Sequence, residues 1–239
     1  MKAVKKITII FLILGGFRPA MGAPLQQGPI ARINYPAITG QPINSKPKDT
    51  VISFVRDTSF NHIDTKLKAA ALRLKQKAVL AKEYLAANGF NSDICFMVDM
   101  SIPSGKNRFF VYNIKKDSVE FTSLVSHGSG SWKPNCDDQL VFSNLTNSNA
   151  TSLGRYKIGT SYSGLYGLSY KLFGLDSTNN NAFQRSVVLH SDVYVPEKET
   201  YPYHIFESAG CPTVSPSFLP VLGKYVKGSK KPMMMWIYN

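Results

Sequence analysis

The chain has 239 residues, of which 44% are hydrophobic and 18% are charged, and its formal net charge is +13. This composition excludes an intrinsically disordered or collagen-like protein and is typical of a folded globular chain. The length suffices for one domain with a substantial core, together with an N-terminal extension.

Residues 1–23 have the pattern of a secretory signal peptide. Three lysines precede the apolar run 7–14, and small residues on either side of Gly22 offer a cleavage site. The run is too short to cross a bilayer as a helix, although an uncleaved anchor or a buried helix is the alternative. No later stretch is apolar enough for a transmembrane span, so we expect export to the periplasm or the cell envelope.

The chain without its signal has a strongly basic balance. Loss of the four basic residues in 1–23, with no acidic residue lost, lowers the formal charge from +13 to +9. Such a charge favours anionic partners, namely cell-wall polymers, lipid surfaces or nucleic acid, or simply aids solubility. Because no basic run is interleaved with aromatic residues, we predict no nucleic-acid partner.

The region after the signal divides into a linker and a domain. Residues 24–60 are rich in Pro, Gln, Asn and Ser, which predicts an extended linker. The domain is predicted to cover 61–239 and to begin with an amphipathic helix over 64–88, where Leu and Ala recur every three or four residues. Asp64 is the predicted N-cap and Gly89 follows the predicted end. Because the apolar stripe is mostly Ala, we favour a helix docked on the domain over one lying on a membrane.

The rest of the domain is predicted to be mainly β with helices, an α+β fold. From residue 93 the apolar period changes to two, and strands at 94–100, 109–114 and 119–125 are predicted to form a β-meander. A long polar loop follows over 128–152. Further strands are predicted at 153–159, 166–173, 185–191 and 233–238, with a short helix opened by Ser215 and Pro216 and ended by Gly228.

The chain has three cysteines, Cys95, Cys136 and Cys211. An odd number leaves at least one thiol unpaired in an exported protein. Cys95 and Cys136 either form a disulfide or stay reduced and buried, and both alternatives keep Cys211 free. No Cys or His pair has zinc-ligand spacing, so we predict no metal site and no cofactor.

His190 and Cys211 form the candidate catalytic pair. His190 lies near the end of the predicted strand 185–191, and Cys211 follows a small residue and a glycine. A nearby His can take the proton of a catalytic thiol or hold the thiolate as an ion pair. Gly210 lets backbone N–H groups reach a tetrahedral intermediate, since no side chain blocks the approach. The alternative is a structural Cys and a hydrogen-bonded His without a catalytic role.

Two ordered motifs carry a resemblance to a known family. Val-Val-Leu-His-Ser over 187–191, followed by Ser-Ala-Gly-Cys-Pro-Thr-Val over 208–214, resembles the YkuD-like L,D-transpeptidase catalytic domain, and more narrowly its Gram-negative murein branch. Similar residues of that branch stand at His127-Gly128, 152–156, 164–175 and Arg185. The resemblance covers roughly 62–239 and implies the catalytic β-fold of that family.

The resemblance implies a role for each residue of the two motifs. Cys211 is the implied nucleophile and His190 its base, with the backbone carbonyl of Ser191 orienting the imidazole. The N–H groups of Gly210 and Cys211 are the implied oxyanion hole, and Ser208 is implied to order the turn.

Three more residues are expected to line the substrate site. His127 follows a predicted strand, Tyr203 lies in the loop between the two motifs, and Thr213 stands two residues after the cysteine. Loop packing is the alternative for Tyr203, and a structural role is the alternative for His127.

The chain departs from the family pattern beside its nucleophile. Thr213 and Ala209 stand where many members have Arg and His, respectively. Glu207 and Ser191 stand where the narrower branch often has Arg and Gly. The carboxylate of Glu207 would oppose thiolate formation if it faced the nucleophile.

The activity that the resemblance implies is acyl transfer on peptidoglycan stem peptides. Cys211 would attack the carbonyl of the third stem residue, release the terminal D-amino acid and pass the thioester to an amine. The products are a 3-3 cross-link, protein attachment or D-amino-acid exchange. Water as the acceptor would make an L,D-carboxypeptidase, and loss of activity would leave a cell-wall-binding module. Carbapenems are the implied inhibitors, and we expect a monomer.

Two other families of cysteine enzymes fit the residue order less well. Sortases also place a His before a Cys but need an Arg later in the chain, whereas the last arginine here is Arg185. NlpC-type peptidases place the Cys before the His, which is the reverse of the order found here.

Overall fold

The computed structural model describes residues 58–133 and 139–239. The predicted signal peptide, nearly all of the predicted linker and Cys136 lie outside the described residues. Cys95 is a buried free thiol. Within the described ranges, neither helix is long and apolar enough to cross a bilayer.

The first element is a long helix, α1, over Thr58–Ala87. It begins six residues before the predicted start at Asp64, so residues 58–60 of the predicted linker are helical. The physical reason is that no proline or glycine follows Pro47 to interrupt a helix in this stretch. The end of the helix agrees with the prediction, because Gly89 follows with φ of +70°, a conformation that favours glycine.

The predicted apolar stripe docks α1 on the domain. Four side chains of the stripe are buried in one cluster with residues of three strands: Leu74, Ala78, Ala81 and Leu85. The strand residues of that cluster include Cys95, Met97 and Met234. Burial of these apolar side chains supplies the free energy that holds the helix against the sheet.

Three antiparallel strands follow and confirm the predicted meander. These are β1 over Ile94–Asp99, β2 over Phe109–Asn113 and β3 over Ser118–Ser123. All six residues of β1 are buried. Successive side chains of β1, such as Phe96 and Met97, belong to two different core clusters, because successive side chains in a strand point to opposite faces.

The remaining elements lie in the second half of the chain. They are β4 over Gly154–Gly164, β5 over Gly167–Gly174, β6 over Val188–Ser191, β7 over Thr213–Val214, α2 over Phe218–Gly228 and β8 over Met233–Tyr238. The last strand has the predicted bounds. Apolar side chains of α2 pack in the core cluster that contains Phe96, together with alternate residues of the central strands.

The eight strands of the described residues form one sheet in the order β3-β2-β1-β8-β4-β5-β6-β7. Two neighbouring pairs are parallel, β1 with β8 and β6 with β7, and the other pairs are antiparallel. This mixed sheet with packed helices confirms the predicted fold class. The parallel β6–β7 pair places His190 opposite Thr213, two residues after Cys211.

Besides the start of α1, the predicted starts of β6 and α2 are wrong. β6 begins at Val188 rather than at residue 185, because residues before it form a turn in which Ser186 has φ of +56°. α2 begins at Phe218, and the hydroxyl of Ser215 donates to the carboxylate of Glu197 at 2.8 Å instead of capping the helix. The main-chain carbonyl of Ser215 accepts the first N–H groups of the helix.

Candidate active site

The turn that carries the cysteine is anchored through Ser208. Its backbone N–H donates to the carbonyl of His127 at 2.8 Å, and its carbonyl accepts from Ser129 at 2.7 Å. The Ser208 hydroxyl accepts from the N–H of Gly210 at 3.1 Å and donates to the carbonyl of Cys211 at 2.6 Å. These bonds close the turn on itself and fix it to the segment after β3.

Gly210 has a conformation and surroundings that only glycine suits. Its φ is +111°, and a Cβ atom at this position would lie 3.0 Å from the carbonyl oxygen of Ala150 and 3.3 Å from a guanidinium nitrogen of Arg185. Any larger side chain would strain the backbone and crowd these neighbours. Glycine at position 210 is therefore a steric requirement of this turn.

Arg185 holds the polar loop 143–152 against the turn that carries Cys211. Its guanidinium donates to four acceptors in the loop 143–152, at distances of 2.6 to 3.3 Å. The shortest bond is to the carbonyl of Ala150, the atom next to Gly210. The positive charge of Arg185 also favours the thiolate of Cys211.

The imidazole of His190 is held on three sides. Nδ1 lies 3.1 Å from the carbonyl oxygen of Ser191, Nε2 lies 3.0 Å from Oγ1 of Thr213, and the ring stacks on Tyr166 with centroids 4.3 Å apart. Because a carbonyl can only accept, Nδ1 carries the proton in this tautomer and Nε2 presents a lone pair. His190 is thus prepared to accept a proton at Nε2.

Burial lowers the pKa of His190, and the carbonyl of Ser191 and the charge of Asp192 oppose this shift. The imidazole is therefore neutral near pH 7, which is the form that a general base needs.

The thiol of Cys211 is half-buried, and burial raises its pKa. The N–H of Val188 lies 3.4 Å from Sγ, and together with Arg185 it opposes this shift. Among the hydrogen bonds of the described residues, none joins Cys211 to His190. The raised pKa of the thiol and the lowered pKa of the imidazole favour a neutral pair over an ion pair, although Sγ of Cys211 lies beside the first residue of β6, the strand that carries His190.

Comparison with known families gives a match over most of the chain. The family model of the L,D-transpeptidase catalytic domain matches residues 64–238. The chain belongs to the L,D-transpeptidase catalytic domain family. The resemblance carried by the two motifs is thereby confirmed. A search of curated protein sequences finds no significant match to this L,D-transpeptidase domain protein.

Solved structures similar to this L,D-transpeptidase domain protein include three bacterial proteins. The helical cell shape determining protein Pgp2 from Campylobacter jejuni is 13% identical, with a TM-score of 0.40, and the match covers 63% of this chain and 50% of that one. An L,D-transpeptidase from Xylanimonas cellulosilytica is 12% identical, with a TM-score of 0.33 and coverages of 61% and 60%. An Enterococcus faecium L,D-transpeptidase is 14% identical, with a TM-score of 0.37 and coverages of 61% and 50%. The match thus spans about half to three fifths of those chains.

Neither Glu207 nor Ala209, the two residues before Gly210 that differ from the expected family pattern, is directed at the thiol. Oε1 of Glu207 lies 3.7 Å from Nε2 of His127, and burial raises the pKa of this carboxyl. Glu207 is not among the groups that shift the pKa of Cys211. The side chain of Ala209 is exposed. The expected opposition of Glu207 to thiolate formation therefore has no geometric basis, because its carboxylate faces His127.

The predicted substrate-binding residues occupy three different environments. Thr213 is fully buried against His190. His127 is 2% exposed and touches the turn through its carbonyl. Tyr203 is 76% exposed, and its N–H donates to the carbonyl of Thr200. The structure thus brings His127 and Thr213 to the turn that carries Cys211, while Tyr203 lies on a surface loop beside Gly105.

Two residues of the site were not identified from the sequence. Tyr166 stacks on His190 from the tip of the β4–β5 hairpin, and Arg108 is buried beside His127. The sequence signals were an aromatic residue in a Gly-bounded hairpin tip and a charged residue next to an apolar strand. Within the described ranges, no group of three or more His, Cys, Asp or Glu side chains is placed to hold a metal ion.

Proposed function

We propose that this protein is an exported cysteine L,D-transpeptidase that acts on peptidoglycan stem tetrapeptides. One observation carries the proposal. Nδ1–H of His190 donates a hydrogen bond to the carbonyl of Ser191. This leaves Nε2 as a proton acceptor beside β7, the strand that follows Cys211. Export rests on the signal-like pattern of residues 1–23, and the basic balance of the chain suits an anionic wall.

Thioester formation follows from the protonation states of the pair. Sγ of Cys211 forms a bond to the carbonyl carbon of the third stem residue while Nε2 of His190 takes the thiol proton. The C–N bond to the terminal D-amino acid then breaks, and His190 returns the proton to the leaving amine. The thiol must first approach Nε2, and this requires the Thr213 hydroxyl to leave that nitrogen, from which it lies 3.0 Å away in the resting site.

Backbone N–H groups of the turn would stabilise the oxyanion. The N–H of Gly210 is bonded to the hydroxyl of Ser208 in the resting turn and would be shared with the oxyanion. The N–H of Cys211 is the second donor in this proposal. An amine acceptor then attacks the thioester carbon, loses its proton to His190, and the thiol of Cys211 is regenerated.

The decisive experiment incubates the protein with disaccharide-tetrapeptide and separates the muropeptide products. A 3-3 dimer or a product with an exchanged terminal residue supports transpeptidation, whereas tripeptide alone assigns water as the acceptor and makes the enzyme an L,D-carboxypeptidase. Intact-mass spectrometry after exposure to a carbapenem should show one covalent adduct, located on Cys211 by peptide mapping.

The Cys211→Ala variant is the matched control. It should form neither adduct nor product, while its circular dichroism spectrum stays that of the wild type. Turnover that persists in Cys211→Ala would reject Cys211 as the nucleophile. A wild-type protein that forms no adduct and no product, yet binds peptidoglycan, would instead be a cell-wall-binding module.

A further inference from the structure

The long helix α1 has a second apolar strip, on the side turned away from the sheet. Leu72, Val79 and Leu80 are 60%, 60% and 50% exposed. Leu72 and Val79 stand seven residues apart and therefore lie on one side of the helix, and Leu80 adjoins Val79. None of the three apolar core clusters of the described residues includes these side chains. Large aliphatic side chains grouped on one exposed face are typical of an interaction surface.

A row of lysines runs beside this strip. Lys68, Lys75 and Lys82 are exposed and follow one another at intervals of seven residues, so they lie along one line of the helix. Glu83 is the only acidic residue between positions 65 and 87. The apolar strip and the lysine row together form the outer face of α1, which we define by six residues: Lys68, Leu72, Lys75, Val79, Leu80 and Lys82. This face combines apolar surface with an excess of positive charge.

The turn between β2 and β3 extends the basic row. Nζ of Lys75 donates to the carboxylate of Asp117 at 2.7 Å and to its main-chain carbonyl at 2.9 Å. The bond to Lys75 lowers the pKa of this carboxyl, and the charge of Lys82 adds to the shift, so the turn lies close to both lysines. Lys115 and Lys116 are exposed in the same turn. One carboxylate is therefore surrounded by four lysines, and the surface stays basic.

The side of α1 that faces the sheet has charge interactions of its own. Arg73 is bonded to the buried carboxylate of Asp99 at 3.0 Å, and Nζ of Lys77 lies 4.9 Å from the ring centroid of Trp236. These contacts and the buried apolar stripe account for the docking of the helix. The apolar strip of the outer face makes no contribution to that docking and is available to a partner outside the domain.

We propose that the outer face of α1 binds an anionic lipid surface while the helix stays docked on the sheet. The partner must offer both apolar and negatively charged surface. A membrane with anionic headgroups offers both, because aliphatic side chains enter the boundary between headgroups and acyl chains while lysines remain among the phosphates. The contact would hold the domain with α1 toward the lipid and α2 away from it, because the two helices pack in clusters on opposite faces of the sheet.

Charge argues against the other occupants of this face. A second copy would bring an identical lysine row against the first, and like charges repel. Residues 24–57 of the chain carry four basic and two acidic residues, so their charge does not complement the row either. A cell-wall polymer offers carboxylates but little apolar surface for Leu72 and Val79. Of these partners, only an anionic lipid surface matches both halves of the outer face.

The test is co-sedimentation of the full chain with lipid vesicles. Vesicles of phosphatidylcholine alone are compared with vesicles of an equimolar mixture of phosphatidylcholine and phosphatidylglycerol. We expect the partition coefficient to be at least about tenfold higher for the anionic vesicles and to fall as salt is added. Equal partition into both kinds of vesicle, or no binding to either, would overturn the proposal.

A charge-matched pair of variants locates the electrostatic part. Lys68→Gln/Lys82→Gln should lower partition into the anionic vesicles by about 25-fold, since each lysine near such a surface contributes roughly fivefold. Lys224→Gln/Lys227→Gln removes the same charge from exposed positions of α2, on the opposite face of the sheet, and should keep most of the partition. Equal losses in the two double variants would assign the effect to net charge alone and overturn the proposal.

A second matched pair tests the apolar strip. Leu72→Gln/Val79→Gln should lower partition by at least about tenfold, because two aliphatic side chains no longer enter the lipid. Leu145→Gln/Val193→Gln makes the same exchange at loop positions that are 72% and 79% exposed, and it should bind as the wild type does. Circular dichroism verifies that each variant is folded. Every variant carries the same residues 1–57, so any contribution of that segment cancels in the comparison. Equal losses in the two pairs would overturn the proposal.

Three further outcomes would assign the outer face to another occupant, and each would overturn the proposal. A wild-type dimer that dissociates in Leu72→Gln/Val79→Gln, measured by sedimentation velocity, would assign the face to a second copy. A lower Tm of that variant with unchanged partition would assign it to another segment of the chain. Binding to purified peptidoglycan that is lost in Lys68→Gln/Lys82→Gln, without binding to vesicles, would assign it to the wall polymer. None of these variants touches Cys211, so adduct formation by the thiol is scored separately.

Discussion

The hydroxyl of Thr213 lies 3.0 Å from Nε2 of His190, the ring nitrogen that a catalytic base would use. The same hydroxyl lies 3.3 Å from the carbonyl oxygen of Cys211. Thr213 therefore connects the imidazole of His190 to the main chain of Cys211. Its short hydroxyl-bearing side chain fits the fully buried space beside the imidazole.

Thr213→Val should raise kcat and change KM little. The substitution keeps the shape of the side chain but removes one hydrogen bond that the imidazole must lose before the thiol reaches Nε2, which is worth about 1 kcal/mol, or roughly fivefold in rate. Steady-state kinetics with a stem tetrapeptide measures the change, and Thr213→Ser should keep the wild-type rate. A higher KM at unchanged kcat would show that Thr213 contacts substrate instead.

The reactivity of Cys211 should rise steeply with pH. Because burial holds the pKa of the thiol above its usual range, the thiolate is a minor species at pH 7 and the rate of iodoacetamide alkylation should increase roughly tenfold per pH unit up to about pH 9. Peptide mapping follows alkylation of Cys211 separately from the buried Cys95. A plateau between pH 6 and pH 8 would instead indicate a thiolate–imidazolium ion pair.

Glu207→Gln is expected to leave that alkylation profile unchanged. Its carboxylate faces His127, and it does not contribute to the pKa of Cys211. A shift of the profile to lower pH in Glu207→Gln would mean that the carboxylate acts on the thiol after all.

Tyr166→Ala should reduce kcat by about three- to tenfold, since a stacked aromatic pair contributes roughly 0.5–1.5 kcal/mol to the position of its partner. Tyr166→Phe keeps the ring and should keep the rate. Leu165→Ala is the matched control, because Leu165 is the neighbouring residue on the hairpin tip and is 92% exposed. Equal losses in Leu165→Ala and Tyr166→Ala would assign the effect to the hairpin as a whole.

His127 should make the fold sensitive to acid. Burial lowers its pKa from 6.5 to about 3, with a further contribution from the charge of Arg108. The unfolded chain therefore binds one more proton than the folded protein between these pH values. The stabilisation is complete above pH 6.5 and is lost as the pH falls, by about 3 kcal/mol between pH 6.5 and pH 4.

Urea unfolding of the wild type and of His127→Gln, measured from pH 4 to pH 7, isolates this contribution. Carboxylates that also titrate in this range act equally in both proteins and cancel in the difference. The wild-type free energy of unfolding should fall more steeply with acid than that of the variant. Parallel curves would show that His127 is charged in the folded protein.

Much of the local structure could be predicted from the sequence. The β-meander, the end of α1 at Gly89 and the bounds of β8 follow from apolar periodicity and from turn residues, which act over a few neighbours. The order of His190 before Gly210 and Cys211 identified the family that the comparison confirmed. These features are encoded in short stretches, because they depend on backbone preferences and on side chains close together in the chain.

The starts of elements were less predictable. The apolar run before His190 predicted a strand from residue 185, yet Arg185 lies in a turn that its bonds to the loop 143–152 hold in place. Nothing in the local sequence shows that distant partners hold Arg185 in a turn and that the strand begins only after it.

Other features were decided only by the tertiary structure. The parallel pairing of β1 with β8 joins the two halves of the domain, and the pairing of β6 with β7 places His190 opposite Thr213. The direction of Glu207 toward His127 and the orphaned Nε2 of that ring are likewise invisible in the sequence. The sequence by itself determined which residue types stand in the site and in what order. Only the fold decided which of them meet, because strand pairing and burial depend on contacts between residues far apart in the chain.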